Sequence, residues 1–191
     1  MAHDNREIEI KLPLHNPEEV RAFLDVNAEC SAKDVFQKDT YYILPHRDFL
    51  KKDYPYEWLR LRETAKWYSI NYKHFYPENV KLSDYCDEFE SKIENGEAMK
   101  KIFTSIDLQE AVVVEKHRTT WLFNDVEIVI DDVAGLWAHI ELETTTAFDN
   151  PQEWKKYLYQ ILEKLNAHVG EVDLRWYPYR LLEQKWYSFG V

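Results

Sequence analysis

Like-charged residues that straddle a single neighbour recur along this 191-residue chain. Glu7-Ile8-Glu9-Ile10-Lys11 comes first. Arg60-Leu61-Arg62 follows, then Lys73 at the end of Tyr68-Ser69-Ile70-Asn71-Tyr72-Lys73, then Glu88-Phe89-Glu90. Lys116-His117-Arg118, Asp131 after Val126-Glu127-Ile128-Val129-Ile130, and Glu141-Leu142-Glu143 complete the series. In an extended chain alternate side chains share a face, so each pair points one way. A solvated face usually mixes signs, and like charges gain nothing from each other there. They gain when an anion lies among the basic pairs and a cation among the acidic ones. A triphosphate, with about four negative charges, suits arginine forks and lysine ammoniums. Mg²⁺ or Mn²⁺ prefers carboxylate oxygens.

Strands must position these groups, and a period of two predicts them around 36–44, 57–64, 67–75, 86–94, 111–119, 121–131 and 137–145. The strand holding Glu7, Glu9 and Lys11 ends near Pro13. Asn124-Asp125 reads as a hairpin turn. Opposite the charges stand Ile8, Ile10, Leu59, Leu61, Ile70, Tyr72, Ile140 and Leu142, an apolar face for helices to cover. Asn16-Pro17-Glu18-Glu19 reads as a helix start, with Asn as N-cap and Pro in the first turn. Val20, Phe23 and Leu24 follow at helical spacing. Asn150-Pro151 opens a second helix, with Trp154, Leu158, Ile161, Leu162 and Leu165 as its apolar stripe. Shorter helices are expected over Gly96 to Thr104 and Tyr177 to Tyr187. The expectation is one α+β domain spanning 1–191, a large antiparallel sheet or barrel with helices outside it.

The formal charge of −11 argues against a general nucleic-acid or anionic-membrane surface, but leaves room for a local basic pocket. Met1 to Arg6 is polar and lacks a signal-peptide core. No apolar run is long enough to span a bilayer. Cys30 and Cys86 form neither a zinc spacing nor a disulfide framework, so they are expected as reduced thiols of a cytoplasmic protein.

These blocks resemble the CYTH superfamily, the triphosphate tunnel metalloenzymes. Glu7-x-Glu9-x-Lys11 looks like its ExExK signature, and Gln37-x-Asp39-Thr40-Tyr41-Tyr42 like its second strand. Leu59-Arg60-Leu61-Arg62, Tyr72-Lys73, Glu88-Phe89-Glu90 and Lys116-His117-Arg118 match later strands in order. Asp131-Asp132-Val133-x-Gly135-Leu136, leading to Glu141-Leu142-Glu143, matches the family's ending. The resemblance implies an eight-stranded antiparallel barrel, open as a tunnel, with helices around it. Lys11, Arg60, Arg62, Lys73, Lys116 and Arg118 would bind the phosphate chain. Glu7, Glu9, Glu141 and Glu143 would hold Mg²⁺ or Mn²⁺. Glu88, Glu90 and Asp131 would complete the acidic side as catalytic candidates, either as further ligands or as groups that orient water. Family members are often dimers, which carries over as a homodimer expectation.

The chain departs from the family pattern at Cys86-Asp87, where an arginine is common; Lys81, Lys92 or Arg180 could replace that contact. Trp137 stands for a second glycine and could narrow a tunnel mouth or offer a stacking surface. His139, Asp39, Tyr41 and Tyr42 are read as structural, and Tyr177-Pro178-Tyr179-Arg180-Leu181-Leu182 as closing helix packing. The blocks look closest to the class IV adenylyl cyclase-like branch, in which the 3′-hydroxyl of ATP attacks the α-phosphorus. Hydrolysis of tripolyphosphate or an organic triphosphate uses nearly the same residues. A non-catalytic polyphosphate- or nucleotide-binding module is the third reading.

Overall fold

The charged alternation folds into one continuous antiparallel sheet. A computed structural model describes residues 6–144, 150–172 and 176–188. Its strands are β1 (Arg6–Glu7), β2 (Glu9–Pro13), β3 (Glu29–Ile43), β4 (Glu57–Glu63), β5 (Tyr68–Tyr76), β6 (Tyr85–Ile93), β7 (Gln109–Phe123), β8 (Val126–Val133) and β9 (Ala138–Thr144). They are hydrogen-bonded in the order β1-β6-β5-β4-β3-β7-β8-β9-β2. The order is open, yet its two ends are successive segments of one stretch interrupted at Ile8. Glu7 lies opposite Cys86 of β6, Glu9 lies opposite Glu143 of β9, and the Thr144 amide donates to the Ile8 carbonyl at 3.2 Å. Counted once, that stretch brings the total to the expected eight strands, curled into a tunnel-like barrel.

The helices are α1 (Pro17–Asn27), α2 (Gly96–Ser105), α3 (Pro151–Lys164) and α4 (Trp176–Ser188). Ile8, Ile10 and Leu12 point outward with Ile128, Ile130, Ile140 and Leu142, and meet Val20 and Leu24 of α1 and Leu158, Ile161 and Leu162 of α3. Each such side chain contributes about 1.5–3 kcal/mol by leaving water. This burial fixes the register, because a slip of one residue would turn the charges toward the helices. On another side Phe103 of α2 packs on Leu61 and, ring to ring at 4.8 Å, on Tyr42. A Cβ on Gly96 would stand 2.0 Å from the Tyr68 ring, so α2 can start this close to β5 only with glycine.

Several boundaries differ from the sequence expectation. β3 starts at Glu29 rather than near 36, because Glu29 to Ala32 pair with the far end of the long β7 through register shifts. That part is largely exposed and polar, so no apolar alternation marks it. The runs 111–119 and 121–131 divide instead at Asn124-Asp125, with Phe123 opposite Val126. Asn124 takes a φ of 58°, a left-handed conformation asparagine tolerates, so the turn forms without glycine. Asn150 caps α3 through the Gln152 amide, but the Asn16 side chain accepts from the His168 amide and donates to Glu19. It ties α1 to a distant loop rather than capping its own helix. Thr145, the last residue expected of the final strand, and residues 1–5 lie outside the described residues. Among the described residues no helix is long and apolar enough to cross a membrane.

Candidate active site

Strand register alone assembles the charged face. Across the ladders Arg60 faces Asn71, Lys73 faces Glu88, Asn71 faces Glu90, and Arg62 faces Asp39. Arg118 faces Asp131, Lys11 faces Glu141, and Glu9 faces Glu143. All belong to the parity opposite the outward isoleucines, so they line one lumen. Lys11, Lys116, Asp39 and Asp131 are at most 2% exposed, which excludes an open solvated face.

The buried cations hold carboxylates. Arg62 donates to both oxygens of Asp39 at 2.7 and 2.8 Å, and Arg118 to both of Asp131 at 2.7 Å and to Glu141 at 3.0 Å. Lys11 lies 2.9 Å from Glu141, and Lys116 lies 3.3 Å from Asp131 and 3.6 Å from Asp39. Lys73 reaches Glu7 and Glu9 at 3.1 Å each and also contacts Glu88. Arg60 is held more loosely, 3.6 Å from Asp39 and 3.9 Å from Glu88 and Glu90.

The carboxylates fall into two classes. Burial, the largest single influence, would raise Asp39, Asp131, Glu88 and Glu141, but the surrounding cations, led by Arg62, Arg118, Lys73 and Lys11 respectively, together outweigh it and hold them well below the usual range. Burial prevails at Glu7, Glu9 and Glu143, pushing them up to about 10, about 7 and about 8 against the pull of Lys73. Three carboxylates therefore share too little positive charge. Glu9, Glu141 and Glu143 each offer an oxygen within 4.8 Å of the others, and Glu9 Oε2 is buried without a donor. Clustered carboxylates with an unpaired oxygen fit a hard divalent cation.

Residues 5–177 match the CYTH domain family. The chain belongs to the CYTH family. A Methanocaldococcus jannaschii protein provisionally named an adenylate cyclase is 33% identical over 161 residues, covering 84% of this chain and 88% of the relative. A Pyrococcus horikoshii OT3 protein of solved structure superposes with a TM-score of 0.78 at 28% identity, covering 93% of this chain and 99% of that one. A Hippeastrum protein, described as a provisionally assigned adenylyl cyclase with a dominant triphosphatase activity, shares the fold at a TM-score of 0.57 and 18% identity. It covers 85% of this chain and 89% of its own.

The CYTH lumen gathers the like-charged strand residues from Glu7 to Glu143, though Glu90 lies at its exposed rim. It also holds residues that the sequence left as structure. Asp39 pairs with Arg62, Arg60 and Lys116. Asn71 donates to Glu88 and, at 3.1 Å, to Glu90. The α4 segment does more than pack. Trp176 lies 3.4 Å from the Lys11 ammonium, and the Tyr177 hydroxyl donates to Asp131 at 2.9 Å. With Leu182 they join Tyr41, Trp58, Phe75, Cys86, Val112, Val114 and Val133 in an apolar cluster that fills one end of the lumen. No period-two signal marks Trp176 and Tyr177, because they arrive from a helix. His139 packs edge-on against Tyr177 at 4.9 Å, and burial pushes its imidazole down to about 4. Trp137 is exposed. Of the basic residues that could replace the family arginine, Lys81 lies outside beside Glu171 and Arg180 pairs with Glu183. Lys92 continues the lumen parity of β6 beyond Glu90 but is exposed.

Proposed function

We propose that this protein is a divalent-metal-dependent enzyme that holds a triphosphate in its lumen and converts ATP to cyclic AMP and pyrophosphate. One observation carries the reading: Lys11, Lys73 and Lys116 lie buried beside Trp176 and Tyr177 in the same lumen in which Glu9, Glu141 and Glu143 cluster. Lys11, Arg60, Arg62, Lys73, Lys116 and Arg118 would take phosphate oxygens, exchanging their present carboxylates for the substrate. Buried polar atoms without protein partners fit a polar ligand in this lumen. Arg60 Nε, Gln37 Oε1, Ser69 Oγ and Glu9 Oε2 all belong to lumen-facing positions. Glu9, Glu141 and Glu143, with Glu7 beside them, would hold Mg²⁺ or Mn²⁺. Such an ion supplies charge neutralisation and lowers the pKa of an attacking hydroxyl.

A triphosphate entering phosphates first places its α-phosphorus on the carboxylate side. The ribose 3′-oxygen attacks that phosphorus, the bond to the β-phosphate oxygen breaks, and pyrophosphate leaves into the cationic end. Glu88 stays ionised beside Lys73 and can orient the hydroxyl and accept its proton, with Asn71 and Glu90 next to it. Asp131 stays ionised too, and serves to fix Arg118 and Lys116. Preorganised charge of this kind supplies most of the assistance that phosphoryl transfer needs.

Hydrolysis is the second reading, with water replacing the ribose hydroxyl. The closed end favours it, because the lumen then encloses a phosphate chain and leaves the nucleoside outside, where it is weakly selected. Incubation with Mg²⁺ or Mn²⁺ and either ATP or tripolyphosphate, followed by ³¹P NMR, decides. Cyclic AMP with pyrophosphate is the expected outcome. Orthophosphate would move the assignment to hydrolysis, and no turnover of either substrate would overturn both.

A further inference from the structure

Cys86 occupies the lumen face of β6 at 1% exposure, opposite Glu7 in the ladder. Its sulfur lies 3.7 Å from Glu9 Oε1 and 4.0 Å from Glu7 Oε2. Glu7, Glu9 and Cys86 each present one donor atom, and these lie within 4.8 Å of one another. Cys86 borders the apolar cluster of Tyr41, Trp58, Phe75 and Trp176, but its sulfur also meets two carboxylates, and one of these is incomplete: the Glu9 side chain is 3% exposed and its Oε2 meets no donor. Glu9 also belongs to the all-carboxylate group with Glu141 and Glu143, so its two oxygens can serve two ions.

We propose that Glu7, Glu9 and Cys86 form a second cation site of mixed carboxylate and thiolate donors that takes a borderline-soft divalent ion of the Zn²⁺, Co²⁺ or Cd²⁺ class in preference to Mg²⁺. Sulfur is a poor ligand for Mg²⁺, which demands oxygen, whereas zinc-class ions accept thiolate, carboxylate or both. Binding replaces the thiol proton with the metal bond, and the proton leaves to solvent. The Lys73 ammonium now bridges Glu7 and Glu9 at 3.1 Å, so an ion taken there displaces it. Lys73 then keeps Glu88 and can turn its remaining donors to a phosphate oxygen. The regulatory consequence, that a soft cation alters phosphate binding through Lys73, rests on the triphosphate reading above; the donor site itself does not.

The test uses the full-length reduced, metal-free protein in a Cys30→Ser background, since Cys30 is exposed and would bind soft metals by itself. Titration with Co²⁺ should develop a thiolate-to-metal charge-transfer band that Cys86→Ser abolishes. Zn²⁺ affinity by competition should fall at least tenfold in that variant, while Mg²⁺ affinity stays within about twofold. If Cys86→Ser fails to fold, ¹¹³Cd NMR of the Cys30→Ser protein reads sulfur ligation directly. A cadmium signal typical of oxygen ligands alone, or a charge-transfer band that survives in Cys86→Ser, overturns the proposal. Tripolyphosphate binding is measured in parallel. A thiolate band without triphosphate binding would leave the cation site standing and the tunnel reading refuted; the converse would do the reverse.

Discussion

At the scale of single residues, the lumen is a set of charges that satisfy one another only in part. A buried ion pair gains little net stability over apolar packing, since desolvation offsets most of its attraction. So many in one cavity point to a use other than stability. Arg60 is the least committed guanidinium, with its nearest carboxylate oxygen at 3.6 Å and its Nε unpartnered. Arg60→Ala is expected to weaken tripolyphosphate binding tenfold or more, the loss of charged hydrogen bonds worth about 1.5–3 kcal/mol. Isothermal titration would read it, and unchanged affinity would count against phosphate binding in the lumen. Glu141 neutralises both Lys11 and Arg118 and belongs to the carboxylate group. Glu141→Gln should weaken Mn²⁺ binding and lower turnover by a hundredfold or more, in line with other losses of preorganised charge at reacting centres. A variant that keeps both intact would remove Glu141 from the metal set.

At the scale of elements, the strands place the chemistry and the helices pin the strands. α1 is tied to β7 by the Trp121 indole donating to Asp25 at 2.9 Å, and α3 to the β7–β8 turn by the Tyr157 hydroxyl donating to Asp125 at 2.8 Å. The apolar stripe of α3 lies against β2 and β9, the strands carrying Glu9, Lys11, Glu141 and Glu143. Leu158→Ala, at a fully buried position, is expected to cost about 2–5 kcal/mol by urea denaturation. Substrate affinity in the folded fraction should remain near wild type, because the cavity opens outside the barrel. A large loss of affinity without loss of stability would show that α3 sets the site geometry directly.

At the scale of the whole molecule, closing the sheet on itself gives an acidic protein a densely cationic interior. The charge of −11 is spread over the chain, while six cations are concentrated inside: Lys11, Arg60, Arg62, Lys73, Lys116 and Arg118. Asp39 touches Arg60, Arg62 and Lys116 of this set and is held ionised by them. Its carboxyl sits lower in the folded state than in the unfolded chain. Its stabilisation is therefore full above the unfolded value of about 3.9 and is lost as pH falls toward the folded one. Asp39→Asn leaves those cations under-neutralised, so stability at pH 7 should drop by about 3–5 kcal/mol. Its acid-side decline between about pH 5 and 2 should be shallower than wild type. Added tripolyphosphate should restore more melting temperature to Asp39→Asn than to wild type. Equal ligand shifts in thermal unfolding would argue that the triphosphate binds away from Asp39.

The spacing of Glu7, Glu9 and Lys11, of Arg60 and Arg62, and of Glu141 and Glu143 determined by itself that these charges share strand faces opposite apolar ones. Strand periodicity is local chemistry, so the eight strands and the opposite-face helices are legible in the sequence itself. The boundaries failed where polarity hid the pattern, as at Glu29 to Ala32, whereas the Asn124-Asp125 turn was legible even without a glycine. The tertiary structure alone decided whether the charged face met water or a lumen, because that depends on Glu7 meeting Cys86 on one side while Glu9 meets Glu143 on the other. It also decided the parts of Asp39, Cys86, Trp176 and Tyr177. Their partners lie far off in sequence, on other strands or on α4, and no spacing along the chain records which side chains a closed sheet brings within hydrogen-bonding distance.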